Sequence, residues 1–324
     1  MSGPVQPTPG LVVGVDIGGS NLRLALADSQ GTVLGKWCTS TKSTSSPEMV
    51  IVQIEQGVEH LLRRSSVPHS DLMSIAAGVP GVTNSDTGIV IATSYLGGWR
   101  NVPFQKILES ALNVPAAVEN DVRMAAIGEH WKGAARGVND FVFLAIGTGI
   151  AAGIFANGKL VRGAKCTAGE VGYMYVPGTT EEPAKPGAPG SLESMIGGGG
   201  IRDQWRNNGE TRRSPSATEI FELAATGDLA AKNALDRTAQ ILAYTVFNIA
   251  LVLDSALFVL GGGVGMSTAL RDATQRVLER YSEPVLPTIV ASHLGEDAQL
   301  MGAIRLAMTT ADARGRIGSG KLIS

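Results

Sequence analysis

The 324-residue chain has little cysteine, few aromatic residues and no excess of charge of one sign. Its two cysteines, Cys38 and Cys166, are too few for a disulfide framework and exclude a zinc site of four thiolates. The net charge of −2 gives no electrostatic reason for a nucleic-acid partner. No apolar run reaches the length of a membrane span, and residues 1–10 lack the pattern of a signal peptide. We therefore expect a cytoplasmic protein with neither a membrane nor a nucleic-acid partner.

Glycine is the residue type in excess, with 41 copies in a chain that is 44% hydrophobic, a composition sufficient for a large core. Three glycine clusters each follow a short apolar run: Gly18-Gly19, Gly147-Thr148-Gly149 and Gly261-Gly262-Gly263. Backbone N–H groups in such turns can face phosphate oxygens, because no Cβ keeps the ligand away. One cluster is typical of an ordinary tight turn, whereas three at the ends of predicted strands favour a bound nucleotide.

The apolar pattern predicts an α/β fold that begins with the order β-β-β-α-β. The predicted strands cover residues 11–16, 22–27, 32–34 and 72–79, and the predicted helix covers residues 47–64. This order differs from the alternating βαβ of a dinucleotide-binding fold. The chain also has P-loop spacing at residues 153–159, but Leu160 stands where Ser or Thr would hold a metal. A P-loop is therefore set aside as well.

Part of the first pattern occurs a second time after residue 140. A predicted strand at residues 141–146 runs into the second glycine turn, and a strand at 150–155 leads through the hairpin dipeptide Asn157-Gly158 to residues 160–161. We interpret this as an internal duplication, in which two β-rich halves face each other across a cleft. Two glycine turns would then reach one ligand.

The remaining elements are predicted from capping signals and helical spacing. They are a loop over 176–190, a capping box at 216–219, a helix over 228–253, a strand over 256–260, a helix over 298–308 and a polar, partly disordered tail from residue 312.

Two carboxylates lie beside predicted turns. Asp16 ends the first strand, a place suited either to an Asx-type turn or to a carboxylate that associates with Mg²⁺ near phosphates. Asp121, in the run Glu119-Asn120-Asp121, precedes a predicted helix and could cap it, act as a base, or do both. Carboxylates also occur in glycine-rich surroundings at Glu170 and Glu193. Carboxylates and amides suit a polyhydroxyl ligand, because they exchange hydrogen bonds in fixed directions.

These residues form an ordered series of motifs through which the chain resembles the ROK family (repressor, open reading frame, kinase). The motifs are VGVDIGGSNLRLAL, GVPGV, WRNVP, VENDVRMAAIGE, IGTGIAAGIFANGKLVRG, AGEVG, SLESMIGG, FVLGGGV and EDAQLMGAI, and they extend from about residue 11 to residue 308. The resemblance implies a two-domain, actin-like ATPase fold of the ribonuclease H-like type. It implies a smaller domain of residues 1–119, joined by a C-terminal helix at about 309–324, and a larger domain of residues 120–308. A homodimer is also expected.

The resemblance further implies an ATP-dependent sugar kinase that uses Mg²⁺. The residues it places at the nucleotide and its metal are Asp16, Gly18, Gly19, Ser20, Thr148, Gly149, Gly261, Gly262 and Gly263, with Asp16 toward the magnesium through water or phosphate. The residues it places at the sugar are Asn101, Asn120, Asp121, Glu170, Tyr173 and Glu193. Asp121 would accept the proton as the sugar hydroxyl attacks the γ-phosphorus, a reaction in which positioning and charge stabilisation do most of the work.

The chain departs from the family pattern on the sugar side. Most family kinases carry a histidine where Tyr173 stands, followed by a cysteine-rich zinc motif, but residues 174–193 contain no cysteine. We therefore predict no zinc. Ser20 replaces the usual threonine and keeps the hydroxyl. The leading prediction for the substrate is a hexose such as glucose, phosphorylated on its 6-hydroxyl. Tyr173 and the missing zinc motif motivate the alternative of an amino sugar or a cyclitol.

Three other functions compete with a sugar kinase that uses ATP. Sugar-responsive repressors of the family carry an N-terminal helix-turn-helix, whereas here the first phosphate strand is predicted to begin at Leu11. An actin-like or chaperone-like ATPase would not need the polar residues that suit a small polyol. Polyphosphate as donor is disfavoured, because no extended basic groove is evident.

Overall fold

The structure is a computed structural model that describes residues 10–41, 46–93, 96–179, 182, 188–206, 215–281, 286–313 and 315. Strands β1 to β13 span Leu11–Ile17, Asn21–Ala27, Val33–Ser40, Leu72–Val79, Val82–Asn84, Ile89–Ala92, Arg100–Val102, Ala116–Asn120, Phe141–Ile146, Ile150–Ala156, Lys159–Leu160, Leu257–Gly261 and Thr288–Ala291. Helices α1 to α10 span Pro47–Arg64, Phe104–Leu112, Asp121–Lys132, Glu193–Ile196, Gly198–Arg206, Ala217–Ala225, Leu229–Leu253, Gly262–Gly265, Thr268–Leu278 and Ala298–Ala313.

The chain divides into two compact units. Unit 1 consists of the residues up to Trp131 together with those from Asp297 onward, and unit 2 is Lys132–Glu296. The domain boundaries expected from the sequence, at 119/120 and 308/309, stay a prediction. The compact units differ from them by including most of α3 and all of α10 in unit 1, because α10 packs on β1 and β4.

Unit 1 is built on a five-stranded sheet of order β3-β2-β1-β4-β8. Strand β2 is antiparallel to β1 and β3, whereas β1, β4 and β8 are mutually parallel. Every residue of β1 is buried, since successive side chains point to opposite faces and both faces are covered. Val13 and Val15 pack in the core that contains α1, whereas Val12 packs with Leu300 and Ile304 of α10.

Unit 2 repeats this arrangement in a second sheet of order β11-β10-β9-β12-β13. Strand β10 is antiparallel to β9 and β11, and β9, β12 and β13 are parallel. The core of unit 2 joins this sheet to α5, α6, α7 and α9. If the five strands of each sheet are numbered 1 to 5 along the chain, both sheets have the order 3-2-1-4-5. This shared order confirms the internal duplication predicted from the sequence.

Local signals set several elements as predicted. Helix α1 and strands β4 and β9 have the predicted bounds. The capping box is formed: the Ser216 side chain accepts from the Glu219 amide at 3.2 Å, and the Glu219 carboxylate accepts from the Ser216 amide at 2.7 Å. The described residues of the predicted loop, 176–179, 182 and 188–190, form no helix or strand. The polar tail lies largely outside the described residues. Across the described part of the chain, no helix is both long and apolar enough to cross a membrane.

One part of unit 1 was not predicted from the pattern of apolar and polar residues. It consists of the three-stranded sheet of order β5-β6-β7 and the helix α2 that follows it. These strands have only three or four residues each, too few for an alternating pattern to stand out from chance.

Helices α3 and α10 touch through two glycines. A Cβ on Gly302 would overlap the carbonyl oxygen of Met124, and a Cβ on Gly128 would overlap that of Ala298. The sheet side of α10 is equally tight, because a Cβ on Gly14 would lie 2.8 Å from the amide nitrogen of Ile304. Backbone-to-backbone contact therefore fixes α10 between β1 and α3.

The substitution Gly302→Ala should lower the free energy of unfolding by about 1–3 kcal/mol, because the added methyl group must push α10 away from α3. Urea denaturation followed by circular dichroism measures the loss. Gly199→Ala is the matched control, since a Cβ at this helical position meets nothing within 4 Å. Equal losses in the two variants would show that the contact between α3 and α10 is not tight.

Candidate active site

Three of the predicted functional residues of unit 1, Asp16, Asn120 and Asp121, lie at one edge of its five-stranded sheet. Strands β1, β4 and β8 are parallel, so their carboxyl ends meet at this edge, which is where open α/β sheets place their ligands. Asp16 near the end of β1 pairs with Gly78 of β4, which pairs in turn with Glu119 of β8. The structure therefore brings Asp16 and the predicted run ending in Asp121 to the same edge.

Asp16 is held by an arginine on the neighbouring strand. The Oδ2 atom of Asp16 accepts hydrogen bonds from Nε of Arg23 at 2.9 Å and from its Nη2 at 2.6 Å. The two residues are direct partners across the β1–β2 pair, and Asp16 is 6% exposed. Burial raises the pKa of Asp16 above its ordinary value, and the charge and hydrogen bonds of Arg23 oppose that rise.

The turn between β1 and β2 contains the three other predicted nucleotide residues of unit 1. It is closed by a hydrogen bond from the Gly18 amide to the Asn21 carbonyl at 2.8 Å. Gly18 and Gly19 are partly exposed and Ser20 is exposed. The turn can therefore present its backbone and the Ser20 hydroxyl to a ligand.

Asp121 is the first residue of α3 and is partly exposed. Its Oδ1 atom accepts from the Val122 amide at 2.9 Å and from Nδ2 of Asn120 at 3.1 Å. A negative charge at this position is stabilised by the amino end of the helix. The N-cap bond of α3 is made by Asn120, whose Oδ1 accepts from the Arg123 amide, so the capping role expected of Asp121 falls to the residue before it. Asp121 accepts from the adjacent backbone amide at the sheet edge, and its role as a base stays a prediction.

Asn120 is buried and its side-chain amide is fully engaged. Its Nδ2 atom donates to the Gly81 carbonyl at 2.9 Å as well as to Asp121, and its Oδ1 atom accepts from the Arg123 amide at 3.0 Å. This residue links the turn after β4 to the start of α3. The contacts of Asn120 show how Asp121 is oriented. The contact between Asn120 and a sugar stays a prediction.

Asn101 lies on β7 of the small sheet and is exposed. Its φ of 53° is in the left-handed region, which asparagine tolerates better than most residues. Trp99, two residues earlier, is only 2% exposed and packs against Phe104 with ring centroids 4.8 Å apart. Trp99 is thus a core residue of unit 1.

Unit 2 places its two glycine turns side by side. They follow β9 and β12, which are parallel neighbours, so both turns lie at the carboxyl edge of this sheet. Gly262 has a φ of 76°, and a Cβ on it would lie 2.5 Å from the Ile146 carbonyl oxygen. A side chain at position 262 is excluded for two reasons: the backbone conformation disfavours it, and the neighbouring turn occupies the space.

The two turns also leave room for a ligand. A Cβ added to Gly147 or to Gly263 would meet nothing within 4 Å, and Thr148 is exposed. The first turn is closed by the Gly147 amide, which donates to the Gly149 carbonyl at 2.9 Å, and is joined to α5 through Gly198. Open space beside glycine backbone, with a hydroxyl at hand, fits phosphate groups.

The predicted sugar residues of unit 2 lie on two neighbouring segments. Glu170 precedes a 3₁₀ turn, Val171–Tyr173, and Glu193 opens α4. A Cβ on Gly172, within that turn, would lie 3.4 Å from Oε2 of Glu193. The same Oε2 accepts from the Ile150 amide at 3.1 Å, which fixes Glu193 to the strand that leaves the first glycine turn. The Tyr173 residue is 59% exposed.

The described residues lack a cluster of metal-binding side chains. Within these residues, no group of three or more His, Cys, Asp or Glu side chains could hold a metal ion. Magnesium keeps several waters and is commonly bound through one or two carboxylates and phosphate oxygens. Asp16 fits that mode, because both Arg23 bonds go to a single carboxylate oxygen. The absence of zinc stays a prediction.

Sequence reasoning missed the charged residues that support the site. Arg23 could have been found by folding the Asp16 strand and the next strand into a hairpin across the glycine turn, which sets the two residues opposite each other. The buried pair of Glu119 and Arg123, with Nε and Oε1 3.1 Å apart, gave no such signal, because one partner is in a strand and the other in a helix.

Two repeated mixed sheets of order 3-2-1-4-5, each with a glycine turn after its first strand, define an actin-like ATPase fold. The chain belongs to the ROK family, whose model matches residues 12–310. The resemblance inferred from the motifs is thereby confirmed.

Relatives of known name include sugar kinases and regulators. The chain is 29% identical over 309 residues to a glucokinase of Halalkalibacterium halodurans, across 90% of this chain and 92% of that protein. It is 28% identical to an N-acetylmannosamine kinase of Escherichia coli, across 90% and 97%. A xylose repressor of Caldicellulosiruptor bescii is 26% identical, across 79% and 67%. Among solved structures, the ROK hexokinase from Thermus thermophilus has a TM-score of 0.77 at 26% identity, across 94% and 99%.

Removing Arg23 should destabilise unit 1 chiefly at neutral and alkaline pH. Arg23→Met leaves the Asp16 carboxylate buried without its cation, at a cost of about 1–3 kcal/mol. Because Arg23 lowers the pKa of Asp16, the variant has a still higher pKa, and its deficit shrinks as the pH falls and the carboxyl takes up a proton. Urea denaturation at several pH values measures this dependence.

Lys36→Met is the matched control in the same unit. Lys36 pairs with Asp297 at 2.6 Å, but both side chains are more than 40% exposed, at 49% and 44%. Its loss should cost about 0–1 kcal/mol at every pH tested. A pH-independent loss in Arg23→Met would contradict the buried-pair interpretation.

Proposed function

We propose that the protein is an ATP-dependent sugar kinase that transfers the γ-phosphoryl group to a hexose hydroxyl, with Asp121 as the general base. The observation that carries the proposal is the placement of Asp121 at the start of α3, on the same sheet edge as Asp16. Matches to a glucokinase and to an N-acetylmannosamine kinase across 90% of the chain support a sugar as acceptor.

In this proposal Asp121 takes the proton of the attacking hydroxyl. The sugar O–H bond breaks and a carboxyl O–H bond forms, without a covalent bond between Asp121 and the sugar or the phosphorus. The hydrogen bonds from Val122 and Asn120 hold one carboxylate oxygen, so that the group cannot rotate freely. Asn101, Asn120, Glu170, Tyr173 and Glu193 are the further residues assigned to sugar hydroxyls. Fixing the hydroxyl beside its base contributes the entropic part of the rate enhancement.

On the donor side, the proposal assigns phosphate contacts to the glycine turns of both units. Residues Gly18, Gly19 and Ser20 of unit 1 and Thr148 and Gly149 of unit 2 donate hydrogen bonds to phosphate oxygens, and Gly261, Gly262 and Gly263 border the adenosine. Asp16 associates with Mg²⁺ through water or phosphate. Bound Mg·ATP supplies the phosphoryl group and neutralises charge that develops on it. A homodimer remains part of the proposal on family grounds.

The leading substrate is a hexose such as glucose, modified on its 6-hydroxyl. An amino sugar is the second candidate, favoured by the match to N-acetylmannosamine kinase and by Tyr173 in place of the family histidine. A sugar-responsive regulator without catalysis is the third, since a xylose repressor matches 79% of the chain. ADP formation separates the two kinases from the regulator, and the preferred compound separates the kinases from each other.

The Asp121→Asn substitution should lower kcat by about 10²- to 10⁴-fold with little effect on folding, because the amide keeps the shape of the carboxylate but cannot accept the proton. The measurement is ADP release with ATP and Mg²⁺ against hexoses, amino sugars and cyclitols.

The control for this substitution is Asp272→Asn on α9, where the carboxylate side chain is 58% exposed. It should retain the activity of the unmodified protein. Turnover by Asp121→Asn at the unmodified rate would disprove the role of Asp121. Sugar binding without any phosphorylation by the unmodified protein would favour the regulator.

Thr148→Val should raise the KM for ATP about 10-fold and leave the sugar KM unchanged, because the valine cannot donate to a charged phosphate oxygen, a bond of about 1.5 kcal/mol. Steady-state kinetics with ATP varied at saturating sugar measures the change. The isosteric control is Thr309→Val on α10, an exposed position whose hydroxyl bonds only the Arg305 carbonyl. An unchanged KM for ATP in Thr148→Val would remove this turn from the proposed nucleotide site.

A further inference from the structure

A buried ion pair is formed by two residues that flank the proposed base, Asp121, in the chain. Glu119, at the end of β8, and Arg123, in the first turn of α3, have side chains that are 0% and 3% exposed. Nε of Arg123 is 3.1 Å from Oε1 of Glu119. Neither side chain is among the residues assigned to the nucleotide or the sugar.

The pair joins several backbone segments that surround Asp121. Oε1 of Glu119 also accepts from the Asn120 backbone amide at 2.9 Å. Nη2 of Arg123 donates to the Thr83 carbonyl of β5 at 3.2 Å. The end of β8, the start of α3 and the first strand of the small sheet are therefore connected by two side chains.

A contribution to folding stability does not fully explain why two charged side chains are buried at this position. Taking a carboxylate and a guanidinium out of water is costly, and well-packed apolar side chains in the same volume are often equally or more stabilising. Apolar side chains would not, however, fix the directions of the connected groups. The rigid fork of an arginine can hold a carboxylate and a carbonyl at set angles, which a lysine ammonium cannot do.

The contacts of Arg123 lead directly to the base. Its backbone amide donates to Oδ1 of Asn120 at 3.0 Å, and Nδ2 of Asn120 donates to Oδ1 of Asp121 at 3.1 Å. A shift of Arg123 would therefore move the Asn120 amide and, through it, the Asp121 carboxylate. This series of hydrogen bonds also reaches the Gly81 carbonyl, to which Nδ2 of Asn120 donates at 2.9 Å.

We propose that Glu119 and Arg123 form a positioning pair that holds the Asp121 carboxylate at the angle needed for proton transfer. The proposal rests on the proposed kinase function and assigns to that reaction two residues that touch neither substrate. The pair acts through the strand-to-helix turn, and its loss is expected to reduce the rate of the chemical step more than binding.

The test uses two variants of the full chain. Arg123→Lys keeps the charge but loses the fork, so it cannot reach Glu119 and Thr83 in the same way. The double variant Glu119→Leu/Arg123→Met replaces both members of the pair with apolar groups, so that neither ion is left buried without the other, and it is expected to fold. Both should lower kcat, by up to about 10²-fold, with the KM values for sugar and ATP almost unchanged, because a small misplacement of a reacting group has effects of this size.

The matched control is Arg271→Lys, whose guanidinium makes only a local contact to Thr268 and lies 4.0 Å from Asp272 on the surface of α9. It should retain the unmodified kcat. Each rate is divided by the folded fraction measured by circular dichroism. A purely structural pair would reduce the folded fraction and leave the corrected kcat intact.

The outcomes distinguish this inference from the function on which it rests. A fall in corrected kcat with unchanged KM in both variants supports the positioning pair. Unimpaired kcat in the folded double variant overturns the pair and leaves the kinase intact. If the unmodified protein phosphorylates no compound of the panel, the kinase function itself fails and the positioning role is overturned with it.

Discussion

The parallel pairing of β1, β4 and β8 is the constraint on which the candidate site of unit 1 depends. Because the three strands run the same way, residues that are more than one hundred positions apart in the chain, such as Asp16 and Asp121, end at one edge. The pairing is stable because α1 and α10 cover opposite faces of the sheet, and the glycines Gly14, Gly128 and Gly302 let α10 approach to backbone contact. Displacing α10 would therefore disturb the sheet that carries the candidate site without touching any residue predicted to belong to it.

The charged side chains at this edge have three different environments. Asp16 loses most of its water, which raises its pKa, and the guanidinium of Arg23 on the neighbouring strand opposes that rise. Asp121 stays partly exposed and is stabilised by backbone and side-chain donors at the amino end of α3. The fully buried charges of Glu119 and Arg123 are paired with each other and with backbone groups. Carboxylates of similar intrinsic acidity thus acquire distinct environments within a few residues of one another.

The duplicated sheets show how one topology can support different tasks. In unit 1 the carboxyl edge carries aspartates, whereas in unit 2 the corresponding edge carries two adjacent glycine turns and the exposed Thr148. Glu193 is tied to the second of these edges through the Ile150 amide, so a carboxylate is also present near the glycine turn of unit 2. The chain belongs to the ROK family, and its relatives include both a glucokinase and a xylose repressor.

The sequence by itself determined many of the local elements and the class of the fold. Strong local signals, such as the capping box at Ser216 and the apolar spacing of α1, gave helices in the predicted places, and the glycine turns after apolar runs marked the ends of β1, β9 and β12. The ordered motifs identified the family and named the candidate residues. Only the tertiary structure decided what holds those residues, because the contacts join positions without a common local pattern: Arg23 with Asp16, Arg123 with Glu119 and Thr83, and Gly302 with Met124. Such contacts follow from strand order and helix packing, which a local pattern of apolar and polar residues does not encode.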